Sequence, residues 1–469
     1  MKIALVSVRP VDPCFPISLL CLQAYLKRYV PGVTIDIIDA AFEKPLDRII
    51  GGNYDLIGIS AMSAEYESAA LLAKNIRLCE TKPLIVVGGV HITKLPESFR
   101  DCFDLGIMGE GEEPLSKLIV LLETNPHPSP DDLLKIPGLL FRDGTKLRWT
   151  PPKQLMLESF PPLDYSTINP AYFARHASAT FARFGREAYV FTSRGCPFKC
   201  VFCASSHFWN GVRYFSAEWV VNEIKSLSKM GVTMITLGDD LFSCHKKRMR
   251  QIADRIQAEG LNRSIEFAVN GQAGIFDEEI CEILKPMNTG PIFFGFESGD
   301  EKTLNYLKCG KTTVEGNRKV VELCRRFGFK CWGSFIIGSP GETLEQMENT
   351  IRFIDWAKQR GVWRLLVAVL HPFPGTPVWD IALKMGRVAP DMDFDKMKLN
   401  SRESIEGMLV DDKIKPQFIR LRDRAYAHLH WFKWKKAFML FRNNPIDALL
   451  LAFRLSPFLY KRLLTPSAP

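Results

Sequence analysis

The chain lacks the features that would place it in a membrane or in the secreted, disulfide-rich class. No stretch of its 469 residues contains the roughly 18 uninterrupted apolar residues that a membrane-spanning helix needs. The N-terminal MKIALVSV has one lysine and a short apolar run, and no cleavage signal follows it. It predicts a first strand instead, and we expect a cytoplasmic protein.

An excess of positive charge is missing from most of the chain. The net charge is +9, but residues 413–469 carry 12 Lys and Arg against two acids, so the preceding 412 residues sum to about −1. The basic character belongs to the C-terminal region, which disfavours nucleic-acid binding as a function of the whole protein. We therefore expect no nucleic-acid partner.

A fourth metal ligand is missing from the densest cysteine motif. RGCPFKCVFCASS, residues 194–206, places Cys196, Cys200 and Cys203 in the spacing C-x3-C-x2-C, whereas most of the 12 cysteines are scattered singly. No second C-x2-C pair or H-x3-H completes a structural zinc site. Disulfides are disfavoured in the cytoplasm. An iron–sulfur cubane needs four iron ligands, so three thiolates would leave one iron open.

Strands and helices alternate along residues 1–125. Helical patterns such as 16–29 and 64–80 lie between apolar strands predicted over 2–8, 34–40, 56–62 and 84–90. This alternation predicts an α/β domain with a doubly wound, Rossmann-like or flavodoxin-like parallel sheet. Ligands of such sheets bind at the carboxyl ends of the strands, which here are rich in small residues.

Three further regions follow. Residues 126–187 predict an irregular linker with a hairpin around Asp143 and Gly144. Residues 188–395 hold six strand–helix steps, fewer than the eight of a closed barrel, and predict a partial (β/α)6 barrel. Residues 396–469 predict a basic, aromatic-rich helical region. It suits either peripheral contact with the inner face of a membrane or a cap that packs aromatic side chains onto the barrel.

The cysteine motif resembles the signature of the radical S-adenosylmethionine (SAM) superfamily. In that family three thiolates hold a [4Fe–4S] cluster, and the open iron chelates SAM. One electron from an external reductant then cleaves SAM to a 5′-deoxyadenosyl radical. The resemblance covers roughly residues 188–390 and implies a six-step part-barrel with Phe202 beside the adenine of SAM.

Other segments match the family in order along the chain. LGDD (237–240) ends the second barrel strand, where the family holds the amino group of SAM. GFESG (295–299) ends the fourth, where the family binds the ribose, and FIIGSPGET (335–343) resembles a loop near SAM. Alone, LGDD is equally typical of an ordinary acidic strand end. The implied SAM-binding residues are Phe202, Gly238, Asp239, Asp240, Glu297, Ser298 and Gly338.

Two histidines lie near these segments. His371, in LHPFPGTP (370–377), ends a barrel strand and is the candidate catalytic residue for proton transfer. His207 follows the cysteine motif, and we expect it to be a solvated or core histidine.

The N-terminal domain resembles the cobalamin-binding domain that precedes the barrel in one branch of the superfamily. VGGVH (87–91) and MGEGE (108–112) carry this resemblance, although the cobalt-ligating motif D-x-H-x-x-G is absent. Cobalamin would then be held by backbone and polar contacts. The alternative is a degenerate domain that binds no cobalamin or a different ligand. The implied cobalamin-binding residues are Ser60, Gly88, Gly89, Val90, His91, Gly109, Glu110 and Gly111.

The combined resemblance implies a cobalamin-dependent radical SAM enzyme with three cofactors: a [4Fe–4S] cluster, SAM and cobalamin. The expected reaction is methylation of an unactivated carbon in a small, hydrophobic substrate such as a lipid, isoprenoid or tetrapyrrole. The alternatives are a non-methylating radical reaction such as oxidative cyclisation, and a cobalamin- or SAM-binding sensor or accessory protein.

Overall fold

The computed structural model describes residues 1–9, 15–174, 186–397 and 409–426. Its strands, in chain order, are β1 (Lys2–Ser7), β2 (Thr34–Asp39), β3 (Leu56–Ser60), β4 (Leu84–Gly88), β5 (Leu105–Ile107), β6 (Leu139–Asp143), β7 (Lys146–Trp149), β8 (Arg186–Val190), β9 (Ser193–Arg194), β10 (Arg213–Tyr214), β11 (Val232–Leu237), β12 (Glu266–Gly271), β13 (Thr289–Glu297), β14 (Lys330–Ile337) and β15 (Arg364–Val369).

The α-helices, in the same order, are α1 (Ile17–Tyr29), α2 (Pro45–Ile50), α3 (Tyr66–Arg77), α4 (Val90–Lys94), α5 (Glu112–Thr124), α6 (Pro130–Leu133), α7 (Ala171–Ala174), α8 (Ala204–Phe208), α9 (Ala217–Lys229), α10 (Lys246–Ala258), α11 (Glu278–Leu284), α12 (Glu301–Lys308), α13 (Val314–Phe327), α14 (Leu344–Gln359) and α15 (Pro377–Lys384). Residues 415–426 are also helical.

The first sheet has the order β2-β1-β3-β4-β5-β6-β7, and its first five strands are parallel. Strand β1 explains why helices cover both faces. Ile3 and Leu5 point into an apolar cluster with α1 and α5, whereas Ala4 and Val6 point into another with α2 and α3. Successive side chains of a strand lie on opposite faces, so an all-apolar strand is buried on both sides. The doubly wound sheet predicted from the sequence is confirmed.

The hairpin predicted around Asp143 and Gly144 joins this sheet. Strands β6 and β7 are antiparallel to each other, and β6 pairs antiparallel with β5. Gly144 adopts φ +59°, the left-handed conformation that tight hairpin turns require. Part of the segment predicted as a linker therefore forms the edge of the first sheet.

The second sheet has six parallel strands in the order β15-β14-β13-β12-β11-β8. Ile235, Phe267 and Phe335 are among the buried side chains that pack in one apolar cluster with the surrounding helices. Most of these helices begin at a side chain that accepts a backbone N–H, as Thr313 does for α13 and Thr343 for α14. The open six-step barrel predicted from the sequence is confirmed.

The domain built on the first sheet contacts the barrel directly. Leu20, Cys21 and Ala24 of α1 belong to the same apolar cluster as the barrel, and the Tyr172 hydroxyl donates to the Asp39 carboxylate. In the ranges that the structure describes, no helix is long and apolar enough to cross a membrane. Most of the basic, aromatic C-terminal segment, 427–469, lies outside those ranges, and the predicted membrane contact rests on it.

Candidate functional site

The three cysteines lie in a loop that a short hairpin closes. Strands β9 and β10 pair antiparallel, with Arg194 opposite Arg213, and the residues between them, 195–212, are called the cluster loop here. Gly195 starts this loop with φ +103°, and a Cβ atom there would clash with the carbonyl oxygen of Gly211. Only glycine fits this close approach of two backbones.

Cys196, Cys200 and Cys203 all line one cavity of about 360 Å³ at the mouth of the barrel. They are free thiols, each partly buried. The backbone N–H of Val201 donates to the carbonyl of Leu307 at 3.1 Å and ties the loop to the end of α12. The fold thus brings together the residues whose spacing alone suggested a cluster.

Three thiols suit an iron–sulfur cubane, in which each thiolate binds a different iron and the fourth iron stays open. Burial raises the pKa of Cys196 to about 12 and that of Cys200 to about 11. Iron binding must therefore displace thiol protons.

The predicted SAM-binding residues separate into two groups. Phe202, Asp240 and Glu297 line the cavity with the thiols. Asp240 accepts a hydrogen bond from the Ser205 hydroxyl at 2.6 Å, and burial raises its pKa.

Asp239 is turned away from this cavity. Its buried carboxylate accepts the backbone N–H groups and the hydroxyls of both Thr192 and Ser193. Arg248 donates to the Thr192 hydroxyl at 2.9 Å and to the Thr192 carbonyl at 2.7 Å. Asp239 therefore fixes the turn between β8 and β9. The prediction that it contacts SAM does not match this geometry, because adjacent residues at a strand end point in opposite directions.

Three other predicted residues also lie outside the residues that line the cavity. Ser298 is fully buried, shares a 3.0 Å hydrogen bond with the Thr350 hydroxyl and accepts the Asp300 N–H that opens α12. Gly338 adopts φ +83° and donates its N–H to Glu342 at 2.8 Å. Gly238 leaves room for the Phe191 ring. Each shapes the backbone around the site.

Glu297 has a partner to which no sequence motif pointed. Lys308, at the end of α12, places its Nζ 3.0 Å from a Glu297 carboxylate oxygen, and both residues are buried and line the cavity. Glu297 adopts φ +58°, a conformation uncommon for residues other than glycine. Lys308 also lies 5.9 Å from the centre of the Phe202 ring. It brings a positive charge to a cavity otherwise rich in acids and thiols.

The two histidines differ in position. His371 is buried, with Nδ1 2.8 Å from the Val369 carbonyl, and Nε2 has no hydrogen-bond partner in the described residues. It is not among the residues that line the cavity. His207 lies within the cluster loop, and its Nε2 is 3.2 Å from the carbonyl oxygen of Cys200. The structure thus places His207, not His371, against a cysteine of the motif.

A second cavity, of about 540 Å³, lies between the first sheet and the cluster loop. Ala204, Ser205, Phe208 and Trp209 of the cluster loop form part of its wall. The remaining wall includes most of the residues predicted to bind cobalamin: Ser60, Gly88, Gly89, Val90, Gly109, Glu110 and Gly111. One loop therefore borders both cavities.

The wall of this second cavity suits a large cofactor held by backbone contacts. Its glycines expose the backbone at the carboxyl ends of β4 and β5. At Gly89, which has φ +109°, a Cβ atom would clash with the Ala61 carbonyl. No histidine is among the described residues that line this cavity.

His91, predicted to bind cobalamin, lies beneath the wall. Its two ring nitrogens are 3.1 Å from the Ser63 hydroxyl and 2.9 Å from the Ser98 hydroxyl, and its ring packs 3.9 Å from that of Tyr66. Burial lowers the pKa of His91 to about 3. The side chain is neutral, and both ring nitrogens are already hydrogen-bonded within the protein. The prediction that His91 binds cobalamin does not match this geometry.

A part-barrel with three thiols at its mouth, facing an α/β domain with a glycine-lined cavity, defines the class of protein. Comparison with protein families agrees: residues 190–354 match the radical SAM superfamily and residues 4–119 match the B12 binding domain. The chain belongs to the radical SAM superfamily and carries a B12 binding domain. It is a cobalamin-dependent radical SAM enzyme, and its cofactors are a [4Fe–4S] cluster, SAM and cobalamin.

Three known proteins illustrate the relationship. An uncharacterized methyltransferase of Pyrococcus horikoshii is 32% identical over 336 residues, 70% of this chain and 69% of that protein. The anaerobic magnesium-protoporphyrin IX monomethyl ester cyclase of Cereibacter sphaeroides is 26% identical over 337 residues, 69% of this chain and 52% of the cyclase. The solved structure of the radical SAM methyltransferase TsrM from Kitasatospora setae superposes with a TM-score of 0.66 at 20% identity, covering 82% of this chain and 75% of TsrM.

Proposed function

We propose that this enzyme transfers a methyl group to an unactivated carbon of a small, largely apolar substrate. The observation that carries the proposal is the cluster loop, which borders both cavities. A cluster in one cavity and cobalamin in the other would lie on either side of this one segment. Bound there, the cluster and SAM would supply a radical that removes hydrogen from carbon, and cobalamin would supply a methyl group. Methylation of carbon needs both within reach of one substrate.

Residues of the chain have distinct roles in this proposal. Cys196, Cys200 and Cys203 would ligate the cluster. Asp240 and Glu297 would hold SAM, since carboxylates suit its ammonium group and its ribose hydroxyls. We also propose that residues 1–125 form the cobalamin-binding unit and 188–395 the SAM-binding unit, with 126–187 between them and 396–469 as a separate region.

The barrel wall supports an apolar substrate. Phe293 and Trp332, with ring centres 4.7 Å apart, line the first cavity together with Leu366, whose side chain stays 48% exposed. An exposed leucine beside two aromatic rings is a surface that an apolar ligand would cover. The relative that acts on magnesium-protoporphyrin IX monomethyl ester supports a planar, tetrapyrrole-like substrate. Lipids and isoprenoids are the other apolar candidates.

The same relative supports a second candidate function, oxidative cyclisation. A cyclase would use the radical chemistry without transferring a methyl group. The two reactions can be separated by the fate of SAM: methylation consumes it both to 5′-deoxyadenosine and to S-adenosylhomocysteine, whereas cyclisation yields only the former.

The test is an anaerobic incubation of the reconstituted enzyme with a one-electron reductant and SAM bearing a CD3 methyl group. Magnesium-protoporphyrin IX monomethyl ester and an organic extract of the source cells serve as substrate probes. Transfer of CD3 to a carbon of any compound supports methylation. 5′-Deoxyadenosine without S-adenosylhomocysteine supports cyclisation, and neither product would leave only a sensor or accessory protein.

Cys200→Ser and Cys79→Ser form the matched variants. Cys79 lies two residues beyond the end of α3 and donates to the Asn75 carbonyl at 3.4 Å, far along the chain from the motif. We expect loss of 5′-deoxyadenosine formation in the first variant and unchanged formation in the second.

A further inference from the structure

Four charged side chains meet where the first sheet contacts the base of the cluster loop. Glu110 accepts hydrogen bonds from Arg194, from Arg213 at 2.6 Å and from the backbone N–H of Leu155 at 2.8 Å. Glu112 accepts from the second terminal nitrogen of Arg194 at 2.6 Å. These four residues, Glu110, Glu112, Arg194 and Arg213, are called the clamp here.

The clamp joins segments that are distant in sequence. Glu110 and Glu112 lie where β5 ends and α5 begins, beside the second cavity. Arg194 and Arg213 face each other across the β9–β10 pair, so they mark the two ends of the cluster loop. Of these four residues, Glu110 is the one whose carboxylate contacts both arginines. A single carboxylate from the B12 binding domain therefore holds both ends of the loop that carries the three cysteines.

The clamp is also buried and balanced in charge. The side chains of Glu110 and Glu112 are each 5% exposed, and those of Arg194 and Arg213 are 12% and 17% exposed. Two negative and two positive charges sit together away from water, where removal of one partner leaves a charge uncompensated. Aromatic rings enclose the arginines: Phe160 and Phe215 near Arg194, and Trp209 near Arg213. Within the described residues, each of the four charges has a hydrogen-bonded partner of opposite sign.

We propose that Glu110 is a positioning residue that sets the separation between the iron–sulfur cluster and the corrinoid. It does so by holding both ends of the cluster loop against the wall of the cobalamin cavity. This inference rests on the proposed function, since it requires that both cofactors bind. The clamp would keep the methyl donor and the site of radical formation at a fixed separation, so that both can reach one substrate.

Charge balance suggests the variants that test it. Glu110→Gln leaves two buried arginines with one carboxylate and is expected to fold less stably. The double variant Glu110→Gln/Arg213→Gln leaves the Arg194–Glu112 ion pair intact and the cluster of charges neutral overall. It should therefore fold, while losing the ion pair between residues 110 and 213. Glu223→Gln is the matched control, because Glu223 is a buried carboxylate that accepts a linker N–H, from Leu163 at 3.2 Å, without contacting an arginine that flanks the loop.

Two measurements read out the clamp without relying on catalysis. In hydrogen exchange of the full chain, the double variant should exchange amides of residues 195–212 about tenfold faster than wild type, with no change in Glu223→Gln. In electron paramagnetic resonance of the protein holding a reduced cluster and cob(II)alamin, the spin coupling between the two centres should be weaker or broadly distributed in the double variant. The coupling is compared between samples matched for iron and corrinoid content, because Glu110 also lines the cobalamin cavity.

Unchanged loop exchange and unchanged spin coupling in the double variant would overturn the inference. Equal acceleration in Glu223→Gln would also overturn it, because the effect would then be a general consequence of losing a buried carboxylate. Wild-type protein that takes up no corrinoid would refute the proposed function and the cofactor separation with it. In that case the exchange experiment would still decide whether Glu110 holds the loop.

Discussion

Replacing each aspartate of LGDD separately tests how the structure divides their roles. Asp239 accepts four hydrogen bonds inside the protein, whereas Asp240 lines the cavity with the three thiols. We expect Asp239→Asn to lower stability with little direct effect on SAM binding. We expect Asp240→Asn to weaken SAM binding with little effect on stability.

The magnitudes follow from the contacts. An asparagine at 239 offers one acceptor oxygen, and its NH2 group would face either the two backbone N–H groups or the two hydroxyls of Thr192 and Ser193. About two buried donors lose their acceptor at roughly 1–3 kcal/mol each, so Asp239→Asn should lower the free energy of unfolding by about 2–6 kcal/mol. An asparagine at 240 can still accept from Ser205. Asp240→Asn should therefore lower the free energy of unfolding by less than about 1 kcal/mol. Loss of the charge-assisted contact should weaken SAM binding roughly tenfold or more.

The assays keep the two effects apart. Urea unfolding of the cofactor-free proteins gives the stability changes, and equilibrium binding of SAM to the reconstituted proteins gives the affinities. The reasoning would be refuted if Asp239→Asn proved as stable as wild type and lost SAM binding, or if Asp240→Asn bound SAM normally.

The other predictions concern the pH dependence of stability, the cluster loop and the C-terminal region. Burial raises the pKa of Glu223 to about 7 from an ordinary 4.5, so the folded state holds its proton more tightly and wild type should lose stability as pH rises. Between pH 5 and 8 that loss, relative to Glu223→Gln, should be about 2–3 kcal/mol in urea unfolding; parallel curves would contradict it. Gly195→Ala should prevent normal iron loading, because the new Cβ meets the Gly211 carbonyl, and full iron content by chemical analysis would count against the assigned loop geometry. Deletion of residues 427–469 should reduce association with anionic liposomes in a flotation assay, and unchanged flotation would favour the cap over the membrane helix.

The fold could be predicted from the sequence because its strands are strongly patterned. Apolar runs separated by amphipathic helices gave both parallel sheets, and the count of six steps gave the open barrel. The three cysteines could be predicted because they are adjacent in one loop, where local spacing fixes their proximity. Most of the predicted cobalamin-binding residues also border one cavity, since the carboxyl ends of parallel strands meet at one edge.

The parts that could not be predicted depend on side-chain direction and on contacts between distant segments. LGDD does not show which aspartate faces the cavity, because that depends on where the strand ends. Lys308 reaches Glu297 only through the path of α12. Glu110 was predicted as a ligand-binding residue, yet its contacts with Arg194 and Arg213 span more than 80 residues of sequence. His91 follows a typical strand-end motif, but α4 turns its ring into the core.

The central claim, that one loop joins a cluster site to a corrinoid site, is tested most directly by the cofactor content of anaerobically purified and reconstituted protein. We expect iron and sulfide for one [4Fe–4S] cluster and one corrinoid per chain, with the iron lost in Cys200→Ser and retained in Cys79→Ser. Iron without corrinoid, under conditions where the wild-type protein cleaves SAM, would contradict the two-cofactor account.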